Sequence, residues 1–117
     1  MIPLTDLDVY KLGEQLSDMV WNDYDHWPEK AQRTIGYQII RSSDSISINI
    51  AEGYGRYTPA DRKNFYRYSR DSFEETKGWQ RKAARIKLVD ESRMQEYQTV
   101  IVALNAFINS TIKRHEK

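Results

Sequence analysis

Apolar residues return every three or four positions along almost the whole of this chain, a period that fits an α-helix and little else. Val9, Leu12, Leu16 and Met19 follow it in the first stretch, with Val20 widening the stripe. Ile35, Ile39, Ile46 and Ile50 carry the second, and Phe65, Ser69, Ser72, Thr76, Trp79, Ala83 and Ile86 the third. Met94, Tyr97, Ile101, Leu104 and Ile108 carry the fourth, thickened by Val100 and Phe107. No alternation of period two survives a count. Only five Gly and three Pro interrupt 117 residues, and they fall mostly between these stretches.

The punctuation sharpens the boundaries. Thr5 with Asp8 three residues on is a start signal for the first helix. Gly13 inside that helix costs about 1 kcal/mol against Ala unless a neighbour needs the close approach. Tyr24-Asp25-His26-Trp27-Pro28 breaks the period, and Pro28 suits a first helical position. Gly53 reads as a helix C-terminus, and Tyr54-Gly55-Arg56-Tyr57 as a turn. Thr58-Pro59-Ala60-Asp61 is a start with Thr as N-cap, Pro next and an acid near the positive helix end. Asp90 caps the last helix, with Val89 placed to staple onto Met94. The spacing predicts helices over about residues 6–24, 28–52, 59–88 and 91–114. Short loops between helices of this length predict an all-α fold of one domain, an antiparallel up-down-up-down four-helix bundle.

Composition narrows the function classes. Without cysteine there is no disulfide framework, thiolate zinc site or cysteine nucleophile. The start of the chain carries no basic and apolar leader, and no apolar run approaches a membrane span. These features lead us to expect a soluble cytoplasmic protein with no membrane partner. The 18 Lys and Arg nearly cancel the 17 Asp and Glu, so total charge announces no partner.

Polar residues sit where core is expected. In the second helix Gln38, Ser42, Ser45, Asn49 and Glu52 step by four, three, four and three, which stacks them on one face. Ser69, Ser72, Glu75 and Thr76 answer on the third helix. One reading is a catalytic pocket with a carboxylate poised by burial. The other is a satisfied internal hydrogen-bond network that fixes helix register or lines an oligomer interface. No activated nucleophile accompanies the carboxylates, and the two imidazoles, His26 and His115, stand in a loop and near the terminus. No catalytic residue is therefore assigned. Asp23-x-x-His26 is a single pair at a helix end, where a di-iron bundle needs two such pairs plus further glutamates, so no metal is expected. Gly53-Tyr54-Gly55 follows a helix and is too short for a phosphate loop, so no cofactor is expected either.

Gln38-Ile39-Ile40-Arg41 and the run Ser45-Ile46-Ser47-Ile48-Asn49-Ile50-Ala51-Glu52-Gly53-Tyr54-Gly55-Arg56 resemble the four-helix-bundle proteins of the 23S rRNA intervening-sequence family. Phe65 and Ser72-Phe73-Glu74-Glu75 resemble the family's second motif. The resemblance implies a bundle that assembles as a ring, commonly a homopentamer, with no established catalytic activity. It singles out Gln38, Arg41, Ser45, Asn49, Glu52, Gly53, Arg56, Ser72 and Glu75 as a motif. The family is related to the accessory variability proteins of diversity-generating retroelements, basic rings that engage a reverse transcriptase and nucleic acid. The resemblance thereby brings in RNA or DNA and a reverse transcriptase as partner classes.

Charge cancels in sum but not in place. Residues 1–30 hold seven acids and two bases, and residues 56–87 ten bases and four acids. Lys63, Arg67, Arg70, Lys77, Arg81 and Arg85 form a line two positions off the third stripe. Two positions are about 200° of helix, so this line is expected to point away from the core, with Tyr66 and Tyr68 beside it as stacking groups. It contacts phosphates, or pairs with the acidic first helix of its own or a neighbouring subunit, or is simply solvated. The overall expectation is a non-enzymatic oligomeric scaffold or adaptor that binds RNA, DNA or a protein. Two alternatives stand beside it. One is an enzyme acting on a nucleotide or RNA at Glu52 and Glu75; the other is a structural oligomer docking a protein through Trp21, Trp27, Tyr37 and Tyr57.

Overall fold

The computed structural model describes residues 2–115, and among these it holds helices and turns but no strand. A 3-10 turn, Leu4–Asp6, leads into α1, Asp8–Tyr24. α2 is assembled from a single α-turn, Glu29–Ala31, a π-helical segment, Gln32–Gly36, and a regular helix, Tyr37–Tyr54. α3 is Pro59–Arg85 and α4 is Glu91–Lys113. No helix among the described residues is long and apolar enough to cross a membrane.

Residue pairings fix the directions. Along α1 and α2, Gly13 faces Ile46 and Ser47 while Tyr24 faces Gly36, so the two run antiparallel. Ser42 meets Thr76 and Ile46 meets Ser69, which reverses α3 against α2. Tyr66 meets His115, and Gln80 shares a cleft with Gln98, which reverses α4 against α3. Asp23 on α1 binds Arg93 and Tyr97 at the start of α4 and closes the bundle. α1 and α3 occupy opposite corners. The 27 residues of α3, at 1.5 Å each about 40 Å long, set the 44 Å axis of the molecule.

Leu16, Val20, Ile39, Ile46, Phe73, Tyr97, Leu104 and Ile108 fill the centre. Thr58 accepts a hydrogen bond from the Asp61 amide at the start of α3, and Asp90 accepts from the Arg93 amide at the start of α4. α1 begins differently from expectation. Thr5 lies in the 3-10 turn and Leu7 precedes the helix with no side-chain cap.

There are three further differences. The helix expected to run unbroken from Pro28 contains a π-turn that ends at Gly36, where the Tyr24 ring packs against the backbone. A Cβ there would stand 2.8 Å from Tyr24 Cε2 and 2.9 Å from the Ala31 carbonyl. Gly53 does not end α2. It lies inside the helix with ordinary backbone angles, and its missing side chain makes room for the Tyr66 ring. The buried line of α3 is Tyr66, Ser69, Phe73, Thr76, Gln80 and Ala83, in place of the stripe through Phe65, Ser72, Trp79 and Ile86. A corner helix serves two neighbours. Ser69 and Thr76 face α2, Gln80 faces α4, and Tyr66 touches Gly53 of α2 as well as His115 beyond α4.

Candidate functional site

Except for Gly53, the motif residues of α2 and α3 lie on the outer side of the bundle, some exposed and some half-buried. The inner seam between these helices is taken by Ser42, Ile46 and Gly53 against Thr76, Ser69 and Tyr66. Gln38, Arg41, Ser45, Asn49, Glu52 and Arg56 sit on the solvent side of that seam. Arg41 reaches across it to Glu75 at 2.7 Å, with side-chain exposures of 51% and 39%. It also donates to Gln38 Oε1 at 3.2 Å, and the Trp79 indole donates to the same Glu75 oxygen at 3.2 Å. Ser45 donates to the Arg41 carbonyl and Asn49 to the Ser45 carbonyl, both within α2. Glu52 pairs with Arg56 at 3.2 Å, and the Arg56 guanidinium lies 4.4 Å from the centre of the Phe65 ring. Half-buried Ser72 offers its carbonyl to Thr76.

This corrects two expectations. The motif is neither an internal network nor a buried carboxylate pocket, and Asn49, Glu52 and Glu75 do not converge. Exposed pairs of this kind contribute about 0–1 kcal/mol each to folding. Holding the chain together is not what they are suited for. The same face carries Tyr37, Ile48, Tyr68 and Ile86, each about half exposed or more. Tyr37, Arg41, Ile48 and Glu52 step by four, seven and four along α2, and Tyr68, Glu75, Trp79 and Ile86 by seven, four and seven along α3. A groove of about 750 Å³ continues the face past Trp79 to Leu88 and Pro28.

The basic line of α3 also lies elsewhere than expected. Against the true buried line it is offset by only about 60–100°, so it borders the groove between α3 and α4. Lys63, Arg67, Arg70 and Lys77 are half-buried there, whereas Arg81 and Arg85 are exposed. Lys77 pairs with Glu74 at 2.8 Å and lies 4.7 Å from the centre of the Phe73 ring. Tyr66 is no stacking group beside it. That ring is 4% exposed, and its hydroxyl is pushed above the ordinary value, first by burial. Because α1 and α3 are diagonal, the acidic first helix and the basic third do not pair within one chain. Of the exterior aromatics, Trp21, Tyr37 and Tyr57 are exposed. Trp27 is buried and donates its indole N–H to the Leu88 carbonyl at 3.2 Å, tying two loops together.

Sequence reasoning missed two features of the α4 side. Asp23, only 18% exposed, binds Arg93 Nε through both carboxylate oxygens and accepts the Tyr97 hydroxyl at 2.6 Å. Burial, then the Asp23 hydrogen bond and charge, raise the Tyr97 hydroxyl far above its ordinary range. The hydrogen bonds that Arg93 donates to Asp23 likewise hold its guanidinium protonated. The second feature is Gln80, 2% exposed. Its amide lies against the Tyr97 phenol and works against that upward push, yet neither Nε2 nor Oε1 has a well-formed hydrogen bond. An unsatisfied buried amide costs about 1–3 kcal/mol. Gln80 follows Phe73 and Thr76 by seven and four, so shifting the assumed stripe by one residue reveals it. It floors a cleft of about 400 Å³ whose walls include Lys77, Arg81, Gln98 and Asn105.

Neither imidazole lies beside Glu52 or Glu75, although the His115 ring packs against Tyr66. His26 is exposed after α1, and His115 Nδ1 is 2.8 Å from the Thr111 carbonyl. Among the described residues no three His, Asp or Glu side chains converge on a point that would hold a metal ion.

A model of the family described as 23S rRNA-intervening sequence protein matches residues 5–110 of the chain. No curated protein matches it.

Proposed function

Because the chain belongs to the 23S rRNA-intervening sequence protein family, we propose that it is a non-enzymatic scaffold that works as a ring of identical subunits, joined through the outer face of α2 and α3. One observation carries this. Apart from buried Gly53, the motif residues of both helices lie on a partly or fully exposed surface, with Arg41, Glu52, Arg56 and Glu75 exposed beside Tyr37, Ile48, Tyr68 and Ile86. A monomer gains almost nothing from that arrangement, whereas an interface gains a polar frame around apolar anchors. The resemblance implies five copies. Glu52 and Glu75 are exposed and each is held by an arginine, which suits surface recognition better than proton transfer. The cytoplasm is the compartment this reading assumes.

The test is Ile48→Asp with Tyr68→Asp. Both side chains are exposed, so helix content by circular dichroism should stay at the wild-type level while the elution volume moves to that of a single chain. Unchanged elution would contradict the reading.

A second role follows from the α3 edge: the ring presents Lys63, Arg70, Arg81 and Arg85 to a nucleic acid. None of these four forms an ion pair among the described residues, and a ring repeats them in every copy. A protein that handles nucleic acid, such as a reverse transcriptase, is the partner class this role implies. RNA affinity should fall steeply with salt, and each lost phosphate contact should reduce the slope of log K against log salt by about one. Lack of RNA and DNA binding at low salt would remove this role and leave the scaffold.

A further inference from the structure

The cleft between α3 and α4 is a ligand site in its own right. Its floor includes Gln80, 2% exposed, whose buried amide lies beside the Tyr97 phenol without a well-formed hydrogen bond. The rim on the α3 side carries Lys77 and Arg81. Across from them, Gln98 and Asn105 bring two further amides from one face of α4, and Ile101 supplies an apolar wall. The volume of about 400 Å³ is in the range of small-molecule sites.

Each part asks for the same kind of ligand. A planar carboxamide presents one donor and one acceptor side by side, the pattern that complements the edge of a nucleobase. Guanidinium and ammonium groups at the mouth suit a phosphate. Arg81 is already folded back along its helix, its Nη2 3.7 Å from where a side chain at Gly78 would begin. Lys77 is tied only to exposed Glu74 one turn away, a pair that is easily exchanged for a phosphate. An apolar strip between amide and cation fits the face of a base.

We propose that the α3–α4 cleft binds one unpaired nucleotide, base against Gln80 and phosphate against Arg81 and Lys77. The nucleotide is either free or part of a single strand, and in the second case the proposal rests on the reading of the α3 edge as a nucleic-acid surface. In that case the basic line guides the strand and the cleft holds one of its bases.

The experiment measures binding of adenosine and cytidine 5′-monophosphates and of a labelled single-stranded RNA oligonucleotide to the full chain at low salt. It compares the wild type with Gln80→Leu and with the double variant Gln98→Ala, Asn105→Ala. The double variant alters only exposed side chains, so it serves if Gln80→Leu does not fold. Saturable binding of either probe that weakens tenfold or more in a variant with an unchanged melting temperature supports the site. If only the mononucleotides behave in this way and the oligonucleotide does not bind, the site stands and its ligand is free. If the oligonucleotide binds equally to all three proteins, the site is overturned while the basic-edge reading survives. If neither probe binds, both are overturned.

Discussion

The Ser69 hydroxyl, fully buried on α3, donates a 2.7 Å hydrogen bond to the main-chain carbonyl of Ile46 on α2. A side chain of only two non-hydrogen atoms that touches the backbone of the next helix shows how closely these two helices lie. Four residues and seven residues away the same seam holds Ser42 and Thr76, their hydroxyls 2.8 Å apart, and Gly53 against the Tyr66 ring. Small residues are therefore used inside the seam, and the long polar ones of the motif are left outside it.

This seam predicts opposite outcomes for two Gly→Ala changes in neighbouring helices. A Cβ at Gly53 would stand 2.6 Å from Tyr66 Cε1 and 3.1 Å from the Arg62 carbonyl, so Gly53→Ala should lose about 1–3 kcal/mol. At Gly78 the nearest group is the end of the Arg81 side chain at 3.7 Å, so Gly78→Ala should gain about 0.5–1 kcal/mol. Urea unfolding of the two variants checks both signs.

The end of α3 offers a second stabilising change. Lys87 has φ of 61°, and its amide and that of Leu88 bond back to the Ala84 and Ala83 carbonyls. This is a left-handed helix stop at a position where a side chain is unfavourable. Lys87→Gly should raise stability by about 1 kcal/mol, read as a higher denaturant midpoint at unchanged slope.

How far these details could be read beforehand differs by residue. Val9, Leu16 and Val20 declare α1 by spacing alone, and Thr58 and Asp90 mark the starts of α3 and α4 because capping is a local interaction. Gln80 was hidden for a different reason. Ser69 and Thr76 face α2, Gln80 faces α4 and Tyr66 touches both, so the buried band of α3 is wider than one stripe and lies one residue off the apparent one. The π-turn at Gln32–Gly36 packs against the Tyr24 ring, a tertiary contact that spacing along the chain does not show. Spacing puts Glu52 on one face of α2 and Glu75 beside the stripe of α3, but it cannot say whether another helix covers them.

Alkaline pH tests the Asp23–Tyr97 contact. The Tyr97 hydroxyl is raised from its ordinary 10.0, chiefly by burial and then by Asp23. The folded chain therefore keeps a proton that the unfolded chain gives up. Its contribution is fully present below the ordinary value and is lost as pH climbs above it, by at most about 1.4 kcal/mol per pH unit. Tyr66, raised in the same direction, adds to the trend. Unfolding curves between about pH 9 and pH 11 should show this loss, and Tyr97→Phe should make the slope shallower.

Exposed ion pairs predict a separation of folding from assembly. Arg41→Ala removes the bridge to Glu75, which is worth less than about 1 kcal/mol to a single subunit. Denaturation of the dilute protein should barely change, while the concentration needed for assembly should rise at least tenfold. A large loss of subunit stability with assembly intact would return the motif to a structural role.

The most direct measurement is the native mass by sedimentation equilibrium, at micromolar concentration and physiological salt. The account predicts a closed species several times the 13.9 kDa chain mass, falling toward one chain in Ile48→Asp with Tyr68→Asp. A wild-type protein that sediments at 13.9 kDa over the whole concentration range would contradict it.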